Sequence, residues 1–282
     1  MHNVFGILTQ CATSTLSALR DTAILGIIFF VVAWFASPCN PQAPWWRKSG
    51  LMTDICFAII PRTIVVYGQV VLIAAGMNIF FGNIGPADIE AFLSQGHGIL
   101  SELPFWQKTI LYLLGNDLIM YLTHRLFHTV RLWRFHAVHH SSESLDWISA
   151  TRSHPVDQIF HSGLSDAIMI LIGIPTEVIG YLIPWSIGSA ALVHANVNWD
   201  FGKFRYLLAS PIFHRWHHTS CELGGGSNFA GTFPIIDLVF GTFYMPRGER
   251  PSAFGLPDRS YPRTFLGQIA APFFIARTRN GG

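Results

Sequence analysis

Charge is scarce in this chain. Asp, Glu, Lys and Arg make up 12% of its 282 residues, where an ordinary soluble domain carries about 25%. Half of the residues are hydrophobic, and the mean hydropathy is +0.38. Two soluble domains are thereby excluded in favour of a multi-pass membrane chain with one polar part. The net charge of +2, with histidine neutral, gives no reason to expect nucleic acid as a partner. Cysteine is scarce too. Cys11, Cys39, Cys56 and Cys221 show no CxxC pair and no framework spacing, so they read as small apolar residues. The opening "MHNVFGILTQ" has no basic stretch, and no small-residue cleavage pattern follows, so no secretory signal is expected. Apart from one histidine motif there is no internal repeat, no low-complexity tract and no segment resembling a soluble electron-transfer domain.

What the chain has instead is long apolar runs. The spans expected are 13–37, 55–81 and 105–123, followed by a hairpin over 164–195 split by "PTE". Pro61 and Arg62 interrupt the second run, so that span should begin near Thr63. The third run has 19 residues and, at about 1.5 Å per residue, matches a hydrocarbon core. Loop 82–104 has no Lys or Arg, loop 38–53 has Arg47 and Lys48, and 13 of the 18 basic residues follow Thr123. By the positive-inside rule, loop 38–53 and the region after the third span face the cytoplasm. A hairpin at 164–195 returns the chain to that side. The expected architecture is an all-α, multi-pass integral-membrane helical bundle, one domain over 1–282, with a cytoplasmic histidine-rich cap from 124–163 and 195–282. The basic tail residues Arg247, Arg250, Arg277 and Arg279 suit either anionic headgroups or a solvated face.

Histidine is the abundant exception. Of 13 histidines, eight fall in three clusters. "HRLFH" places His124 and His128 four apart, just past the third span. "HAVHH" (His136, His139, His140) and "HRWHH" (His214, His217, His218) repeat an i, i+3, i+4 pattern, one helical face each. His2 and His97 read as ordinary lone histidines. A closed structural zinc site takes about four ligands, so eight imidazoles suggest two metal ions with room for an exogenous ligand. Neutral imidazole suits iron, copper, zinc and nickel alike. Asp117, an otherwise costly carboxylate inside the third span and on the histidine stripe, is a candidate to accept an imidazole N–H. Glu143, Asp146 and Asp237 are further candidates.

The stretches "DLIMYLTHRLFH", "WRFHAVHHSSESLDWISATRSHPVD", "FHRWHH" and "NFAGTFPIIDLVFGTFY" resemble the fatty acid hydroxylase/sterol desaturase superfamily over about residues 112–247. The resemblance implies a membrane-embedded bundle holding two iron ions through His124, His128, His136, His139, His140, His214, His217 and His218. His194, in "HANVNW", matches a further ligand position. Some members carry a histidine four residues beyond it, where this chain has Asn198. One metal would then be a ligand short or take an amide or water. His154, in "RSHPVD", lies in a family-like stretch, but the following proline favours a turn, so it is placed beside the ligands or in a structural role.

The implied reaction is O₂-dependent hydroxylation of a membrane lipid (acyl chain, sterol-like or ether lipid), with electrons from a separate reductase or a ferredoxin- or cytochrome-type donor. Desaturation on the same site is the alternative. A zinc-dependent hydrolase and a metal-binding protein are weaker rivals. The implied location is a bacterial inner membrane. Trp133, Trp147, Trp185, Trp199 and Trp216 suit an aromatic belt or a substrate mouth. The glycine-rich stretch 221–231 suits a lid over the metals or a simple loop.

Overall fold

The computed structural model describes residues 2–82, 85–129 and 131–274. Among them the secondary structure is all helical. In chain order the helices are α1 (His2–Phe35), α2 (Leu51–Ile59), α3 (Arg62–Phe81), α4 (Pro86–Gln95), α5 (Gly98–Ser101), α6 (Phe105–Phe127) and α7 (Trp133–His140). Then come α8 (Pro155–Gln158), α9 (Leu164–Leu171), α10 (Thr176–His194), α11 (Pro211–His217), α12 (Ile235–Phe240) and α13 (Phe265–Phe274). Arg277 and Arg279 lie outside the described residues.

Three helices are long and apolar enough to cross a membrane: α1 over Ala12–Phe35, α3 and α10. Their flanks expose Trp34, Phe35, Val71, Ile79 and Tyr181, a surface that water would penalise and hydrocarbon would not. The run 55–81 is broken, as Pro61 and Arg62 foretell. The chain kinks at Ile60–Pro61 and the long helix starts at Arg62. The preceding α2 carries Thr53 and Asp54 into the interior. Helix α6 outlasts its expected end at Thr123 by a full turn, delivering His124 and the C-cap His128. It has the length of a span, but Lys108, Asn116, Asp117, His124 and Arg125 make it less apolar than the other three.

The expected hairpin corresponds to two limbs of unequal length. Its first limb is one continuous rod, in which α8 and α9 are joined by a π-turn over Ile159–Gly163. Its second limb is α10. The rod packs closely on α3 at Gly76, where a Cβ would come 2.4 Å from Leu171 Cδ1. The reversal between the limbs uses Gly173 at φ +114°, with the His97 carbonyl where a Cβ would be. A side chain there is excluded twice, by backbone strain and by contact.

Helices α7 and α11 and the C-terminal ends of α6 and α10 meet at one end of the bundle. Behind them pack Phe213, Trp216 and Val193 on one side, and Trp133, Ala137 and Val138 with Phe57 and Tyr261 on the other.

Candidate metal centre

The nine histidines named from the sequence all come together, in two groups. His124, His128, His136, His140 and His217 form one; His139, His194, His214 and His218 form the other. Within each group one nitrogen from every ring lies within 4.8 Å of the rest. All nine side chains are buried.

The expectation that each HxxHH motif presents one face to one centre needs correction. In α7, His136 and His140 share the first centre and His139 turns to the second. In α11, His214 and His218 share the second and His217 turns to the first. Residues four apart lie almost above one another, at about 40° around the axis. Residues three apart diverge by about 60° the other way. Two centres side by side use that divergence.

Hydrogen bonds on the outer side of the rings fix which nitrogen points inward. The Nδ1–H groups of His124, His139, His194 and His217 donate to the carbonyls of Phe229 (2.8 Å), Arg152 (3.1 Å), Ala190 (2.7 Å) and Ser227 (2.7 Å). His136 Nδ1 donates to Asp157 Oδ2 at 3.0 Å. A carbonyl cannot donate, so the proton sits on Nδ1 and the Nε2 lone pair is bare.

The bare nitrogens converge. In the second group the Nε2 atoms of His194, His214 and His218 are mutually 3.1 Å apart, and His139 Nε2 is 3.1 Å from that of His194. In the first, His124 meets His136 and His140 meets His217 at 3.1 Å, while the buried His128 Nε2 has no protein partner. Three such nitrogens cannot all be joined by shared protons. Two nitrogens at a right angle on bonds of about 2.1 Å to a common ion are about 3.0 Å apart. The residues therefore fit a metal pair. Burial, with repulsion between neighbouring rings, pushes His128, His139, His140, His214 and His218 well below the usual imidazole range and His217 down to about 3. That is the neutral, ligating form.

The supporting residues differ from those expected. Asp117 accepts no imidazole. It takes the N–H groups of Gly231, Thr232 and Phe233 at 2.9, 2.9 and 2.7 Å. It stands two helical turns, about 10 Å, along the axis from His124, beyond reach of its ring. Asp237 takes the N–H groups of Phe229 and Ala230 and the Thr242 hydroxyl. It therefore acts on His124 through the Phe229 carbonyl. Asp146 caps the 3₁₀ turn Trp147–Thr151, and Glu143 pairs with Arg263 at the surface.

His154 caps α8. Its Nδ1 accepts the Val156 N–H and its Nε2 faces the Ile269 carbonyl, so it supports α8 and α13 and bonds no ligand. Asn198 is half-buried and donates its backbone N–H to Ser37. Because α10 ends at His194, residue 198 leaves the helical face on which i+4 would align with it.

Two supports were not anticipated. Asp157 is the carboxylate that holds the His136 ring, braced by the Ser153 hydroxyl at 2.7 Å. It lies in the same "RSHPVD" that drew attention to His154, three residues on, in the first turn after Pro155. The other is a buried ion group in which Asp54 meets Lys48 at 2.7 Å and Arg152 at 2.5 Å, all but excluded from solvent. It anchors the residue whose carbonyl holds His139. Lys48 is thus an interior residue and not a free loop charge.

Within the stretch 221–231, residues 227–231 are tied down as part of a loop. Ser227 and Phe229 grip His217 and His124, and between them the fully buried Asn228, at φ +60°, bonds the backbone of Phe213 and Tyr244. Of the five tryptophans proposed for a belt, Trp133, Trp147 and Trp216 are core residues, and Trp133 packs on His128 and His140. Trp185 and Trp199 are exposed.

The fatty acid hydroxylase family model matches residues 109–242, which hold all nine ligating candidates. The ornithine lipid hydroxylase OlsE of Rhizobium tropici is 28% identical over 244 residues, 86% of this chain and 72% of that protein. Human alkylglycerol monooxygenase is 33% identical over 131 residues, 46% of this chain and 29% of that one. A very-long-chain aldehyde decarbonylase of Oryza sativa subsp. indica is 26% identical over 159 residues, 54% and 59% of the two chains. No solved structure matches. With the histidine boxes, their spacing and the matched region in accord, residues 109–242 of this chain match the fatty acid hydroxylase family.

Proposed function

We propose that the protein is a membrane-bound, di-iron monooxygenase that hydroxylates an unactivated C–H bond of a membrane lipid. The observation that carries this reading is the pair of buried imidazole groups, with nitrogen lone pairs turned inward and N–H groups held outward. His124, His128, His136, His140 and His217 would hold one ion; His139, His194, His214 and His218 the other. The second ion would have one imidazole fewer, which suits an open position for an exogenous ligand.

Iron at these positions supplies O₂ reduction and C–H oxidation: RH, O₂, two electrons and two protons give ROH and water. The chain's own part is positional. Phe229, Asp157, Arg152, Ala190 and Ser227 keep five rings in the ligating tautomer. Trp133 and Phe229 pack against the rings of the first group and exclude water from it. The apolar flanks of α1, α3 and α10 offer a lipid a sideways approach from the bilayer. The histidine-bearing end would face the cytoplasm of a bacterial inner membrane, where a separate reductase, ferredoxin or cytochrome would deliver the electrons.

A zinc hydrolase fits less well. It needs about three ligands per catalytic ion and a free general base, whereas Asp157 is committed to His136 and Ser153. The substrates named for the relatives suggest an aminolipid or an ether lipid here.

The test is lipidomics of a host expressing wild type or His139→Ala, with iron content measured on both purified proteins. The expected result is a lipid gaining 16 mass units with wild type alone. A loss of 2 would assign desaturation. Iron-loaded, reduced protein that consumes no O₂ with any lipid extract would overturn the oxygenase reading.

A further inference from the structure

A polar recess of about 510 Å³ has the buried Ile212 of α11 and the buried Met245 among its lining residues. Lys203, Arg205 and Arg247 line it. Arg205 is the informative residue. It is 8% exposed. One guanidinium nitrogen, Nη2, donates to the Met245 carbonyl, and Nε, also buried, has no partner. No carboxylate lies within ion-pair distance of Arg205, Lys203 or Arg247 among the described residues. Two carboxylates, Asp200 and Glu249, line the same recess; Asp200 accepts the Gly202 N–H, and Glu249 is solvent-exposed. An arginine cannot shed its proton, and a buried cation without a counter-charge is costly. This one lies over the Tyr206 and Phe243 rings at 5.8 and 5.9 Å but meets no carboxylate at ion-pair distance, and beside two exposed cations it leaves room for an anion.

The surroundings say what carries the anion. Phe204, Leu207, Leu208, Tyr206 and Trp199 are between 38% and 65% exposed and alternate with the cations along one short segment. Apolar side chains interleaved with Lys and Arg, next to the end of a span, are the composition of a membrane interface. We propose that this recess binds the phosphate of a net-anionic lipid headgroup, with Arg205 at its floor and Lys203 and Arg247 at its rim. Tyr206, which lines the recess, and the neighbouring exposed Phe204, Leu207, Leu208 and Trp199 would lie along the lipid's chains. The site is separate from the metal centre and stands independently of the oxygenase reading.

The experiment is native mass spectrometry of the full chain in detergent, offered equal phosphatidylglycerol and phosphatidylcholine. Wild type should retain phosphatidylglycerol preferentially. The double substitution Lys203→Gln/Arg247→Gln removes two exposed side chains and should weaken that preference roughly fivefold per cation. Arg47→Gln/Arg131→Gln, an equal charge change elsewhere, should leave it intact. Iron content should be the same in all three proteins. Saturating inorganic phosphate should fail to displace the lipid. Three outcomes would overturn the proposal: no preference in wild type, equal loss in the control pair, or displacement by phosphate alone, which would mark a free-anion site.

Discussion

Single side chains set the ligands, and their supports set the ligands' geometry. Asp157→Ala removes the acceptor of His136 Nδ1 and should lower metal affinity roughly 10- to 100-fold, read as iron retained after dialysis against a chelator. Asp157→Asn keeps an acceptor oxygen and should lose less. Asp117 is of another kind. Asp117→Ala strands three backbone N–H groups and should destabilise the fold by about 3 kcal/mol or more, seen in thermal unfolding. Asp117→Asn should be milder, because one amide oxygen still accepts. The imidazoles were legible in the sequence because helical spacing alone aligns them. The carboxylates were not. Which acceptor meets which ring depends on where residues 227–233 and 152–157 arrive in space, and no local pattern encodes that. Asp117 lies on the expected stripe yet serves a loop more than 110 residues later.

At the scale of elements, composition and punctuation carried most of the information. Apolar runs located α1, α3 and α10, and the Pro61 break placed the start of α3 within one residue. The π-turn at Ile159–Gly163 was not legible. It adds one residue to a turn whose Gly163 does not by itself mark a π-turn, and it shows only in the packing, where His161 meets Thr123 at 3.0 Å. The split use of each HxxHH motif was hidden for a related reason. A one-dimensional spacing gives the angle between residues but not the number of centres they face. The tight reversal between α9 and α10 gives a direct test. Gly173→Ala should abolish a monodisperse folded species in size-exclusion chromatography. Gly180→Ala, in α10 with open space at its Cβ, should be neutral or stabilising by up to about 1 kcal/mol.

For the whole molecule, six buried imidazoles held below their usual range make acid a threat to the metal-free protein. His128, His139, His140, His214, His217 and His218 take up protons below their unfolded range near 6.5. Between that range and their folded values, the unfolded chain binds protons that the folded chain does not. Stability is therefore flat above about pH 7 and falls as pH drops below 6.5, by as much as about 1.4 kcal/mol per pH unit for each such group. The thermal midpoint of chelator-treated protein from pH 8 to 5 should show this. A midpoint that rises on acidification would contradict it.

The crossed arrangement of α7 and α11 has a last consequence, for how the protein is loaded. Each of these helices supplies rings to both groups, two to one and one to the other. An ion captured by the first group fixes the rotation of both helices, and so orders His139, His214 and His218 before a second ion arrives. The ordering entropy of the second site is spent in filling the first. Uptake should therefore be cooperative. At half the saturating metal, mass spectra should show mostly empty and doubly filled chains, with few that carry a single ion.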